Sequence, residues 1–123
     1  MKAKEGVVDF LNKVLTAELT AIHQYLLHAS LSDNWGYERL RHEFRERATE
    51  EVDHISHVMD HILYLEGTPD MQRLGTVSGG QNVPELFNAD LKLEQEDVQL
   101  LKEAIAHCAK VGDFTTRHKL EDM

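Results

Sequence analysis

Between Lys4 and Asn34 the apolar residues Val7, Val8, Leu11, Val14, Leu15, Ile22, Tyr25, Leu26 and Ala29 return every three or four positions, and no proline interrupts the series. This 3.6-residue period predicts one long amphipathic helix over about 4–34. Asp33-Asn34-Trp35-Gly36 breaks it. A second helix follows over about 37–66, with Leu40, Phe44, Ala48, Ile55, Val58, Ile62 and Leu65 on its apolar stripe. Residues 67–82 form a glycine-rich connection too long for a tight turn. Fully extended it would reach roughly 50 Å, against roughly 43 Å for the adjoining helix. It can therefore run the length of a bundle as a crossover; a disordered loop is the alternative. Asn82 as cap, Pro84 in the first turn and Glu85 at the positive end start a third helix over about 83–111. Its inward series reads Phe87, Leu91, Glu94, Val98, Leu101, Ile105 and Cys108. Gly112 closes it, and Asp113 caps a fourth helix over 113–123 and onward. The fold class is all-α: a single domain, residues 1–123, built as an antiparallel four-helix bundle with one long crossover.

Carboxylates interrupt these stripes. Glu18 lies seven residues after Leu11 and seven before Tyr25, so it points inward; Glu94 interrupts the third helix in the same way. On the second helix Glu51 and His54 are three apart, share a face, and can ligate one ion together. A buried, unpaired carboxylate is expensive, and a metal ion, a salt bridge or an interior water would each relieve it. Counted from Gly36 in a hairpin, Glu18 and Glu51 differ by three residues, a mismatch of about 4.5 Å along the axis. The two acids can meet.

A length of 123 residues with 41% hydrophobic content supports one ordinary core. One cysteine, Cys108, excludes an internal disulfide and any paired-cysteine metal knuckle. The start of the chain is polar and no apolar run approaches the roughly 20 residues that span a bilayer, so the expectation is a cytoplasmic protein with no membrane partner. The formal charge of −9 disfavours nucleic acid and is compatible with attracting small cations.

A weak internal repeat at an offset of 76 residues aligns Leu11 with Phe87, Leu15 with Leu91, Glu18 with Glu94, Ile22 with Val98, and Gly36 with Gly112. Carried forward, it places counterparts of Glu51 and His54 just past Met123. One acid from each of two helices plus a Glu-x-x-His from each of the others is the di-iron carboxylate arrangement of ferritin-like bundles. Leu11-Asn12-Lys13 with Glu18-Leu19, Gln24-Tyr25, Asn34-Trp35-Gly36, Glu51-x-x-His54, Ile62-Leu63-Tyr64-Leu65-Glu66-Gly67 and Ala89-Asp90-Leu91 with Leu93-Glu94 together resemble the bacterioferritins.

That resemblance implies a ferroxidase subunit of a 24-subunit shell, which oxidises Fe(II) with oxygen or peroxide at a di-iron centre and stores the ferric mineral inside. It implies that Glu18 and His54 hold the first iron, that Glu94 holds the second, and that Glu51 bridges them. Tyr25 matches a family tyrosine near the site that takes part in electron transfer; an ordinary core aromatic is the other reading. Glu46, Glu50, Asp53, His57 and His61 form a second polar stripe on the same helix, either an inner-surface iron path or a solvated face. Where the family places its haem-ligating methionine this chain has Val52, so haem b ligation by this chain alone is not expected. The implied partners are further copies of the chain or a haem-binding bacterioferritin subunit with which it co-assembles, and a ferredoxin as reductant for iron release. As it stands the chain supplies three ligands to the first iron and two to the second, so either it is a piece of a longer chain or another chain completes the bundle. Two rival classes remain: a non-catalytic structural subunit, and a rubrerythrin-like peroxide reductase, which the single cysteine disfavours.

Overall fold

The computed structural model describes residues 1–123 as four helices without a strand: α1 (Val7–Asn34), α2 (Glu38–Tyr64), α3 (Val83–Val111) and the short α4 (Phe114–Glu121). α1 and α2 form the antiparallel hairpin, and α3 packs mainly against α1 and α4. Gly36 makes the tight reversal possible because its φ of 88° lies where a side chain is disfavoured. Asn82 Oδ1 accepts from the Glu85 backbone N–H at 3.0 Å, with Pro84 in the first turn of α3, and Gly112 ends that helix at φ 81°. Asp113 Oδ1 accepts from Thr116 N–H at 2.9 Å to start α4. Losing a cap leaves an end N–H without its acceptor, so Asn82→Ala is expected to lower stability by about 1 kcal/mol. A urea titration checks this as a shifted midpoint at unchanged slope.

Residues 65–82 are a strap laid along α1. Its backbone bonds successively to Asn12 (from Asp70 N–H, 2.8 Å, and to Thr68 O, 3.1 Å), to Thr20 (from Gly75 N–H, 2.8 Å), and to Gln24 and His28 at Ser78. Gly67 begins the path against Val8, where an added Cβ would come within 2.9 Å of the valine, and Gly79 ends it beside Leu27 and Leu31. Positions 12, 20, 24 and 28 recur at multiples of four, so one edge of α1 presents a polar row to a segment that has no hydrogen-bond ladder of its own. The strap is ordered by α1, and the disordered alternative is set aside.

Two apolar clusters make the core. One gathers Val7, Leu11, Val14 and Leu15 of α1 with Ile55, Val58 and Ile62 of α2, Ala104 and Cys108 of α3 and Leu120 of α4; the other gathers Ala21, Tyr25 and Ala29 with Phe44, Ala48, Leu86 and Leu93. Between them, on α1, lies Glu18, and on α2 lie Glu51 and His54. The polar layer that interrupts the sequence pattern therefore divides the packed core into halves.

On α3 the expected stripe packs at Leu101, Ile105 and Cys108, all against the first core cluster. In the first half of the helix Leu86, Asp90 and Leu93 are buried, while Phe87, Leu91, Glu94 and Val98 are exposed. Leu26 is likewise exposed on α1. No helix is long and apolar enough to cross a membrane.

Candidate metal centre

Glu18 comes from the middle of α1, and Glu51 and His54 come from the middle of α2, where one helical turn separates them. Each offers one ligand atom, and the three atoms lie within 4.8 Å of one another. His54 Nδ1 is 3.3 Å from Glu18 Oε2, with hydrogen-bond geometry, and 3.4 Å from Glu51 Oε2. Glu18 is only 8% exposed. An antiparallel hairpin with a short reversal brings the two acids to one level.

One imidazole proton cannot satisfy two carboxylates. It serves Glu18, and Glu51 Oε2 is buried with no hydrogen-bond partner. Burial raises the Glu51 pKa above the ordinary carboxylate range, the nearby His54 opposes that rise, and Glu94 adds to it. The donor set is two carboxylate oxygens and one imidazole nitrogen, with a buried oxygen lacking a counter-charge. It fits a divalent iron-type cation better than it fits a dry core.

Glu94 does not join this group. It is on the outward stripe of α3, with its side chain 54% exposed, and its carboxylate pairs with Arg47 at 3.6 Å. Arg47 also lies over the Tyr25 ring, 5.9 Å from its centroid. Tyr25 is buried as expected, and burial first, then Glu94 and Asp90, raises its pKa. Val52 is half-exposed on the α2 surface.

Asp97 of α3, an acid the sequence pattern did not single out, is half-buried and feels the charge of Glu51. Burial, with the charges of Glu51, Glu96 and Glu94, pushes its carboxyl up to about 7. Its signal was present in the sequence: Asp97 continues the series Leu86, Asp90, Leu93, Leu100, one position away from the series chosen. Two carboxylates with raised pKa values give an unusual pH dependence. The folded chain binds these protons more tightly than the unfolded chain, so the stability these two groups contribute is full below the unfolded carboxylate range and is lost as pH rises through about 7. In chelator-treated protein the thermal midpoint should rise as pH falls from about 8 to about 6.5, below which buried His61, with its pKa lowered, opposes the rise. Asp97→Asn should flatten that rise. A profile that declines on acidification across this window would contradict the assignment.

The polar stripe of α2 divides. Glu46, Glu50, Asp53 and His57 are exposed, with His42 bound to Glu46 at 3.1 Å. His61 departs from the expectation of a solvated position: it is 5% exposed and bonded to Thr116 of α4 at 2.7 Å. A second buried polar group, also unforeseen, joins α1, α3 and the strap. His28 Nε2 donates to Ser78 O at 2.7 Å, Gln24 Nε2 donates to Asp90 Oδ1 at 2.9 Å, and Ser78 N–H donates to Gln24 Oε1 at 3.1 Å. Buried Cys108, its thiol pushed up to about 11 by burial and by Asp113, stays protonated and offers no ligand.

The ferritin-like domain family model matches residues 8–123. Bacterioferritin of Mycobacterium bovis is 40% identical over 121 residues, covering 98% of this chain and 76% of that protein. Bacterioferritin of Mycolicibacterium paratuberculosis is 41% identical over 123 residues, covering 100% and 77%. Bacterioferritin of Rhodobacter capsulatus is 37% identical over 123 residues, covering 100% and 76%. With a helical hairpin that carries two acids and a histidine at one level, and with these matches across its length, the chain belongs to the ferritin-like family and, within it, to the bacterioferritins.

Proposed function

We propose that this chain is an iron-storage subunit with ferroxidase activity, and that Glu18, Glu51 and His54 hold the first Fe(II) it oxidises. The observation that carries the reading is the convergence of these three ligand atoms within 4.8 Å, one of them a buried carboxylate oxygen with no partner. Iron is the substrate, and each Fe(II) gives up one electron to oxygen or peroxide. The chain's own part is to bind and orient. Glu18 and Glu51 supply negative charge that favours the ferric product over the ferrous reactant, and His54 supplies a nitrogen that keeps the ion at a fixed depth.

Glu51 would bridge to a second ion, for which Glu94 is the α3 carboxylate in the family pattern. Arg47 is the residue Glu94 must leave in order to turn inward, and the separation of 3.6 Å between partly exposed groups makes that pairing weak. Tyr25, held beneath Arg47, would stand next to that movement and could exchange an electron with the centre. Glu46 and Glu50 would form a path for iron along α2. Shell assembly, alone or with a haem-binding subunit, accounts for the exposed apolar residues Leu26, Val52 and Leu91.

The test is oxygen consumption on addition of Fe(II), followed by sizing of the product. Consumption in proportion to iron, with ferric iron co-eluting in a particle much larger than the monomer, is the expected result. Iron that oxidises no faster than in buffer leaves only a structural subunit. Oxidation without retained iron leaves a peroxide reductase.

A further inference from the structure

The buried polar group that ties the strap to α1 and α3 is short of a hydrogen. His28 Nδ1 lies 3.1 Å from Asp90 Oδ1, with the two side chains 0% and 4% exposed. Neither His28 Nδ1 nor Asp90 Oδ2 has a hydrogen-bond partner. The other bonds of the group fix how many protons it must hold. Ser78 O is a carbonyl and can only accept, so His28 Nε2 carries a proton and donates it at 2.7 Å. A neutral His28 would then turn the bare lone pair of Nδ1 toward an ionised Asp90 oxygen. That pairing repels, and in a buried site little screens it. One further proton, on Nδ1 or on the carboxyl, turns the repulsion into attraction. The contact lies off the line that a hydrogen bond needs, but attraction between charges does not depend on that line.

No other group near the pair supplies the missing positive charge. Gln24, which donates to Asp90 Oδ1 at 2.9 Å, is neutral. The titratable neighbour on α1 is Tyr25, whose phenol feels the Asp90 charge; beyond it stand Glu94 of α3 and Arg47 of α2, paired with each other at 3.6 Å. From α2 the ring of Phe44 meets His28 edge-on at 5.4 Å, and the strap brings only the backbone of Ser78. Asp90 has His28 as its one ion-pair partner.

We propose that Asp90 and His28 share one buried proton, and that this proton latches the strap onto α1 and α3. While the pair holds it, Asp90 keeps Gln24 and His28 turned toward the two backbone groups of Ser78. Closing the strap takes the proton up, so closure is favoured where the pair is protonated and weakens as pH rises. Gln24 and Ser78 also line a cavity of about 370 Å³ between α1, α3 and the strap, together with Lys13, Thr16, Lys92 and Asp97. Loss of the proton at alkaline pH therefore lifts the strap around Ser78 and widens the mouth of that cavity. His28, Asp90 and Gln24 are not among the ligands assigned to iron, so the latch is independent of the ferroxidase reading.

The experiment follows backbone amide protection in the full chain between about pH 6 and about pH 9, corrected for intrinsic exchange. The Leu15 amide, in the core of α1, reports the pH dependence of the fold as a whole. Relative to it, protection at Ser78 should fall at least about tenfold across the range, since one proton per opening permits at most about tenfold per pH unit. Asp90→Asn keeps an acceptor for Gln24, and His28→Gln keeps a donor for Ser78; each should make the Ser78 protection independent of pH. A merely structural role would lower protection in both variants and leave its pH dependence in place. In the parent chain at neutral pH, nitrogen and carbon spectra should show either two protonated ring nitrogens on His28 or a protonated Asp90 carboxyl. A neutral His28 beside an ionised Asp90 overturns the proposal, and so does Ser78 protection whose pH dependence survives both substitutions.

Discussion

Glu51→Ala is expected to lower the initial rate of Fe(II)-dependent oxygen consumption at least about 100-fold. Removing an outer-shell partner of a metal ligand typically lowers affinity or activity by about 10–100-fold, and Glu51 would be a direct ligand shared between ions. It is also the member of the group with a buried oxygen that no proton donor satisfies. Glu51→Gln separates charge from packing, because it keeps the side-chain volume. That variant should lose oxidation as Glu51→Ala does, yet its chelator-treated form should be more stable than the parent at pH 8. The sign follows from the raised folded-state pKa of Glu51, which means that the ionised group destabilises the metal-free fold at high pH. Stopped-flow oxygen measurements and thermal midpoints check the two halves separately. Parental oxidation rates in Glu51→Ala would remove iron from this centre.

Asp90→Ala should cost about 1–3 kcal/mol of stability, the range for leaving a buried donor, here the Gln24 amide, without its acceptor. The Asp90 carboxylate accepts from Gln24 at 2.9 Å and lies 3.1 Å from His28 Nδ1, with both of the paired side chains almost fully buried. The His28 contact is off the line that a hydrogen bond needs, and Asp90 Oδ2 meets no donor. The group therefore already carries some desolvation cost, and deleting its acceptor adds an unpaired Gln24 amide nitrogen to it. Since Gln24 and His28 also hold the two backbone groups of Ser78, the strap should loosen with them. Amide exchange at Gly75 and Ser78 should rise in Asp90→Ala, whereas Asp90→Asn, which still accepts from Gln24, should lose less. A drop below about 1 kcal/mol would mean that the group contributes little beyond its packing.

How far the sequence reached can be seen at single residues. Glu18 and Glu51 were legible because both sit in strongly periodic stripes on helices joined by a short reversal, which leaves one way to register them. The caps Asn82 and Asp113 were legible because a cap is a local arrangement, set within four residues. Asp97 and the burial of Asp90 were not legible. α3 has two adjacent stripes that are both apolar, and only the direction of packing on α1 selects one. His61 was placed in solvent because the period of α2 does not disclose that α4 folds back over its last turn with Thr116 and Asp113.

Neighbours within a few turns were enough to set four helices and their ends, the hairpin, and two acids with one histidine at a common depth. Contacts between distant segments set the rest: they laid the strap along the polar row of α1 and buried His28 and His61. Periodicity fixes a side chain's angle relative to its own helix, whereas burial depends on which neighbour that angle meets.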